Sequence, residues 1–157
     1  MSAVIESHHD DHHHGPAKGF SRWLYTTNHK DIGSLYLWFS FIMLFVGGAM
    51  AMVIRAELFE PGSQIVSPEF YNQMVTNHGL IMVFGVIMPA FVGLANWMIP
   101  MQIGAPDMAL PRLNNLSFWI LPAAFGVLLS TFLMEGGAPN FGWTFSAPLS
   151  TEYAPPT

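Results

Sequence analysis

YNQMVTNHGLIMVFGVIMPAFVGLANWMIPMQIGAPDMALPRLNN, residues Tyr71 to Asn115, is the stretch on which the fold turns. Its middle, Gly79 to Met101, runs 23 residues without a charge. At ~1.5 Å of rise per residue, a helix of that length crosses a hydrocarbon core of ~30 Å. Winding it at ~100° per residue puts His78, Gly85, Pro89 and Asn96 within about 20° of one line, with Met82, Gly93 and Pro100 beside it. The rest of the surface is Leu, Ile, Val, Phe and Met. A membrane helix turns greasy residues to lipid and keeps small or polar ones for protein or a cofactor. This helix therefore has an inner face, and that face carries one metal-capable side chain, His78.

Its neighbours repeat the pattern. Ile32 to Ile54 is an uncharged run of 23 residues bounded by Asp31 and Arg55, and Gly47, Gly48, Ala49 and Ala51 offer a small-residue patch for close packing. Leu116 to Met134 is a third apolar run, of 19 residues, with Pro122 predicting a kink near its start. The connection RAELFEPGSQIVSPEFY turns at Pro61-Gly62, and MQIGAPDMALPRLNN is broken by Gly104, Pro106 and Pro111. Gly136 to Thr157 is rich in Gly, Pro and aromatics and reads as an extramembrane loop. The chain is 52% hydrophobic and only 10% charged, against ~25% charge in soluble domains. The expected fold is an all-α polytopic membrane protein, with three transmembrane helices in residues 32–157. Residues 1–31 are a polar, His-rich segment in which Phe20, Trp23, Leu24 and Tyr25 suit the membrane interface. No signal-peptide pattern is visible, so insertion is expected to rely on the first membrane helix.

Several function classes drop out. Without cysteine there are no disulfides, thiolate metal sites, Cys nucleophiles or c-type heme attachment. The net charge of −5 and the lack of a basic patch argue against nucleic acid. Nothing resembles a phosphate loop, a Ser/His/Asp set or a paired-carboxylate hydrolase site. Lys18, Arg22 and Lys30 precede the first span and Arg112 follows the second, whereas Arg55 alone sits on the other side. That excess puts the N-terminus and the 101–115 loop in the cytoplasm. Arg55 and His78 then lie near the outer surface, and Asn96 and Asp107 near the inner one.

Each candidate has a plain reading beside its functional one. His78 can ligate a metal or heme iron, relay a proton, or bond a neighbouring helix. His29 suits a cap or an interfacial anchor. Arg55 either snorkels or bonds a polar group of a cofactor. Glu57, Glu60, Gly62 and Gln64 offer oxygens that suit Na⁺ or Ca²⁺, or form an ordinary acidic loop. Asp107, with Asn96, Asn114 and Asn115 close in sequence, either feeds protons into a hydrated path or pairs with Arg112. The HHDDHHH run, His8 to His14, either binds a divalent metal or is a disordered tail.

Five motifs give these candidates a family. TNHKDIGSLYLWF from Thr27, IRAELFEPG, TNHGLIMVFGVIMPAFVGLANWMIP, IGAPDMALPRLNNLSFWILP and APNFGWTFSAPLS, taken in order from about residue 20 to the end, resemble subunit I of the heme–copper oxidases in its cytochrome c branch. The resemblance implies electron transfer from cytochrome c through a low-spin heme A to a second heme A and copper B, where O₂ becomes water and protons are pumped. It implies that His78 is one axial ligand of the low-spin heme, that Arg55 bonds the heme A formyl, and that Glu57, Gly62 and Gln64 belong to a Na⁺/Ca²⁺ site. Asp107 matches the mouth of the family's D proton channel, and Asn96 and Asn114 its asparagine constriction. The implied setting is the inner membrane of a bacterium, with the remaining helices of subunit I, other oxidase subunits, cytochrome c and lipid as partners. Family members run to about twelve membrane helices, so this sequence, with three, is expected to be an N-terminal part, inactive alone. None of the implied copper ligands lies in it, nor the second ligand of the low-spin heme. A quinol oxidase subunit, and a non-enzymatic three-helix membrane or assembly protein, are the rival expectations.

Overall fold

A computed structural model describes residues 19–153. The His8–His14 run lies outside the described residues. A short helix α1 (Phe20–Tyr25) leads into α2 (His29–Glu57). The second span is one rod of 36 residues, Pro68–Ile103, made of α3 (Pro68–Leu80), a π-helical segment (Ile81–Ile87) and α4 (Met88–Ile103). Helix α5 (Pro111–Ser130) closes the bundle through a 3₁₀ turn, Thr131–Leu133. The described residues are all-helical where they are regular, and three helices are long and apolar enough to cross a membrane.

The first two spans outrun their uncharged cores because their ends carry caps, and the third starts early at a helix-opening proline. The Asn28 side chain accepts from the Lys30 amide at 2.8 Å, with Asp31 in the first turn of α2 and Arg55 in its last, each sign matching the helix dipole. The cap is thus Asn28, and His29 is the first helical residue rather than the cap. Ser67 caps α3 ahead of Pro68, eleven residues before Gly79. Gly104, at φ 71°, ends α4 in the left-handed region, and the Ala105 amide reaches back to Pro100 O at 2.9 Å. Pro111 opens α5, which draws the Leu113-Asn114-Asn115 triplet out of the expected loop and into a helix.

The π-helical segment has a sequence cause. Pro89 has no amide hydrogen, and its ring collides with the carbonyl one turn back in a regular helix. The chain widens ahead of it, and Met88 N–H bonds Val83 O, five residues back. From α2, Ser40 Oγ donates to Val86 O at 2.8 Å and satisfies a carbonyl in this irregular stretch. The wider turn also moves the inner stripe. Gly85, Pro89, Gly93, Asn96 and Pro100 are buried, as uniform winding predicts. Before the wide turn the buried line runs through Met74, Asn77 and Ile81, so His78 stands at its half-buried edge.

Packing centres on α2. A Cβ on Gly33 would stand 2.8 Å from Gly93 O, and one on Gly93 3.0 Å from Gly33 O, so this pair sets a backbone-to-backbone crossing of α2 and α4. Of the patch expected to pack from Gly47 to Ala51, Gly47 is buried, Gly48 meets open space and Ala49 is exposed. Successive helical residues point in different directions, so four neighbours cannot share one contact face. Met43, Met50, Met74, Ile81 and Phe125 form one apolar cluster, and Ile32, Tyr36 and Phe118 another. Phe39 bridges them edge-to-face, 5.5 Å from Phe125 and 6.3 Å from Phe118. Phe41, Phe45, Phe91 and Val127 stay exposed, as lipid-facing residues do.

Candidate functional site

The candidates separate to the two ends of the bundle. At one end His78, on α3, bonds Gly47 O of α2 through Nδ1 at 2.8 Å. A carbonyl only accepts, so Nδ1 carries the proton and Nε2 presents a lone pair. Nε2 has no hydrogen bond among the described residues. Gly47 permits the approach, since a Cβ there would stand 2.8 Å from Met82 Sδ and 3.1 Å from Ile81 Cγ2. This is the arrangement of a metal-ligating histidine, whose second ring nitrogen usually donates to a carbonyl or carboxylate that fixes tautomer and ring plane. The bond to a neighbouring helix and the free ligand nitrogen are therefore compatible readings of one side chain.

Arg55 lies at the same end, in the last turn of α2, eight residues past Gly47, or about 12 Å along a helix axis. It is exposed and makes no ion pair or hydrogen bond among the described residues. Glu57, 6% exposed, turns its carboxylate onto the following loop and accepts from the amides of Gln64 (2.8 Å), Ile65 (2.8 Å) and Val66 (3.0 Å). Gly62 and Gln64 are exposed on that loop, and Gln64 Nε2 donates to Pro61 O at 3.4 Å. A Na⁺ or Ca²⁺ here would share Glu57 with three backbone donors. Among the described residues no three metal-capable His, Cys, Asp or Glu side chains cluster.

At the opposite end Asp107 meets α2, not Arg112. Its Oδ1 accepts from His29 N at 3.2 Å, lies 3.2 Å from His29 Nδ1, and accepts from Met108 N at 2.8 Å. The helix start that Asn28 fixes turns His29 inward and buries it against this carboxylate, so Asp107 takes a partner 78 positions away instead of one five positions on. The two asparagines do meet, with Asn114 Nδ2 donating to Asn96 Oδ1 at 2.8 Å. From there Ser117 Oγ donates to Asn114 O at 2.6 Å, and the Tyr36 hydroxyl lies 2.8 Å from Ser117 Oγ. Tyr36 and Ser117 form part of the wall of a cavity of about 540 Å³ that Phe84, Met88 and Phe125 make otherwise apolar. His29 Nε2, Asn115 Nδ2 and Trp119 Nε1 are buried without a partner among the described residues.

With this geometry in hand, comparison is specific. A family model described as cytochrome c and quinol oxidase polypeptide I matches residues 31–157. The chain belongs to this family. Among curated members of the oxidase polypeptide I family, it is 49% identical over 138 residues to cytochrome c oxidase subunit 1 of Corynebacterium diphtheriae, covering 87% of the chain and 24% of that protein. It is 49% identical over 137 residues to a probable cytochrome c oxidase subunit 1-alpha of Streptomyces avermitilis (86% and 23%). It is 47% identical over 135 residues to a heme–copper oxidase subunit I+III of Aeropyrum pernix (86% and 17%). The chain thus spans about a quarter or less of the length of these relatives. As an oxidase polypeptide I it is a multi-pass membrane protein.

Some members of the site escaped the sequence reading. Tyr36 and Ser117 look like ordinary interfacial and helical polar residues, and only a fold pairing α2 with α5 joins them. One signal was present: Ser117 follows Asn114 by three residues, so both lie on one side of a helix. Gly47 was read for packing, and no sequence signal marks a backbone carbonyl as the partner of a histidine.

Proposed function

We propose that this chain supplies part of subunit I of a terminal oxidase in a bacterial inner membrane, with its N-terminus cytoplasmic. In that reading it holds one side of a low-spin heme A at the outer end and the start of a proton path at the inner end. The observation that carries it is His78, with Nδ1 committed to Gly47 O and Nε2 left as a ligand nitrogen at the edge of the buried stripe. The donor set fits half of a bis-imidazole site, and the second imidazole would come from beyond this sequence. Heme iron held by two imidazoles stays low-spin, has no open site and passes electrons rather than binding O₂. The Gly47 carbonyl keeps the ring in one plane and raises its basicity. Arg55, which has no other partner among the described residues, would donate to the heme formyl.

At the other end, Asp107 would take protons from the cytoplasm and the Asn96–Asn114 pair would gate their passage. Ser117 and Tyr36 would carry the polar line on to the apolar cavity. No direct hydrogen bond joins the Asp107–His29 pair to the amides, so water would bridge that step, and the unpartnered His29, Asn115 and Trp119 nitrogens are groups it would satisfy. Cytochrome c as donor, rather than a quinol, is supported by the Corynebacterium and Streptomyces relatives, which are named as cytochrome c oxidase subunits. In an intact oxidase carrying this sequence, His78→Ala should abolish the low-spin heme absorption, measured by reduced-minus-oxidised difference spectroscopy. An unchanged low-spin band would sink the ligand assignment.

A further inference from the structure

The Thr76-Asn77-His78-Gly79 motif contributes one residue to the reading above, and its other three all engage a single distant loop. Thr76 Oγ1 accepts from Gly142 N at 3.0 Å. Asn77 Nδ2 donates to Pro139 O at 3.2 Å while also holding Gln73 O at 2.9 Å. Gly79 lies under the Trp143 side chain, where a Cβ would stand 3.1 Å from Cδ1 and 3.2 Å from Cβ and Cγ of the indole. One turn earlier, Gln73 occupies the space that a side chain at Gly137 would need. Thr76 and Asn77 are 1% and 0% exposed, and Ala138 on the loop is 1% exposed.

We propose that residues 137–143 are a strap over the His78 turn, and that Thr76, Asn77 and Gly79 are positioning residues that hold it there. The inference rests on His78 being a heme ligand. Two polar bonds flank the histidine on its N-terminal side and an indole closes over the residue on its C-terminal side. The contacts come from every member of the motif except the ligand itself. Such a cover works on the heme through water. Solvent reaching a heme edge favours the ferric form, which carries one more positive charge, so a cover that excludes it raises the reduction potential. The strap also blocks lateral drift of the α3 turn away from α2, which keeps the bond between His78 and Gly47 short.

The test uses an intact oxidase that carries this sequence. Thr76→Val keeps the side-chain shape and removes the acceptor for Gly142 N, Thr76→Ser restores it, and Gly79→Ala pushes on Trp143 without touching either hydrogen bond. Amide exchange across residues 137–143 and the midpoint potential of the low-spin heme are read together. Thr76→Val and Gly79→Ala are expected to speed exchange in the loop and lower the potential while the low-spin band persists, and Thr76→Ser to return both to wild-type values. Unchanged exchange, or faster exchange with an unmoved potential, overturns the strap. A low-spin band that survives His78→Ala instead overturns the ligand reading beneath it.

Discussion

At the scale of single residues, the two ends of the bundle are built by opposite devices. The His78 ring donates to a backbone carbonyl, whereas the Asp107 carboxylate accepts from backbone amides with the His29 ring beside it. A carbonyl only accepts, so it holds the neutral His78 ring in one tautomer. Asp107 touches His29, and a neutral asparagine there keeps the shape and the hydrogen-bonding oxygen but cannot release a proton. Asp107→Asn should therefore slow proton uptake about a hundredfold, the low end of what a positioned proton-transfer group contributes, with the low-spin heme spectrum intact. Stopped-flow pH-indicator measurements on reconstituted oxidase check this, and a normal uptake rate would rule the residue out as the inlet. The sequence announced the types of these residues well and their partners poorly. His78, Asn96 and Asp107 were legible as polar groups in or beside an apolar span. That Asp107 would choose His29 over Arg112 depends on where α2 begins, which the Asn28 side chain decides.

Among the helices, the second span winds regularly up to Leu80 and again from Met88, with the wide turn between. Pro89 by itself does not announce a widened turn. A widened turn needs something to satisfy its carbonyls, and Ser40 comes from another helix. That is why the stripe was drawn correctly over Gly85, Pro89, Gly93 and Asn96 and displaced at His78. The crossing of α4 with α2 is tighter. Gly93 has Gly33 O, Leu37 Cγ and Tyr36 Cβ each 3.0 Å from the position its own Cβ would take. Gly93→Val should force the helices apart and destabilise the subunit by ~1–3 kcal/mol, the usual cost of overpacking. The effect is read as a lowered midpoint for thermal loss of the low-spin band. The same variant should disturb proton uptake, because Tyr36 sits in the crossing and carries the bond to Ser117.

For the molecule as a whole, the number of spans was legible from hydropathy, since lipid admits few alternatives to a helix. Loops were less so, because their docking depends on which turn of a helix they meet, as the 137–143 segment illustrates. Among the described residues, the two histidines, His29 and His78, stand at opposite ends of the bundle, so one cannot serve as the other's axial mate. The described part of this chain therefore offers heme a single imidazole. The chain produced alone and reconstituted with heme A is expected to lack the bis-imidazole low-spin spectrum, and addition of free imidazole should move the spectrum towards it. A full low-spin spectrum without added ligand would contradict that arrangement.

The wide turn at Ile81–Ile87 also has a meaning for how such a chain can change over time. It acts as a phase shifter between the two halves of one rod, offsetting the His78 half from the Asn96 half by a fixed angle. Removing a single residue between His78 and Asn96 would rotate one end against the other by ~100°, carrying His78 off Gly47 or Asn96 off Asn114. Substitutions in this interval are open to selection one at a time. A change of length is not, because it alters the surroundings of His78 and of Asn96, at opposite ends of the bundle, in the same step.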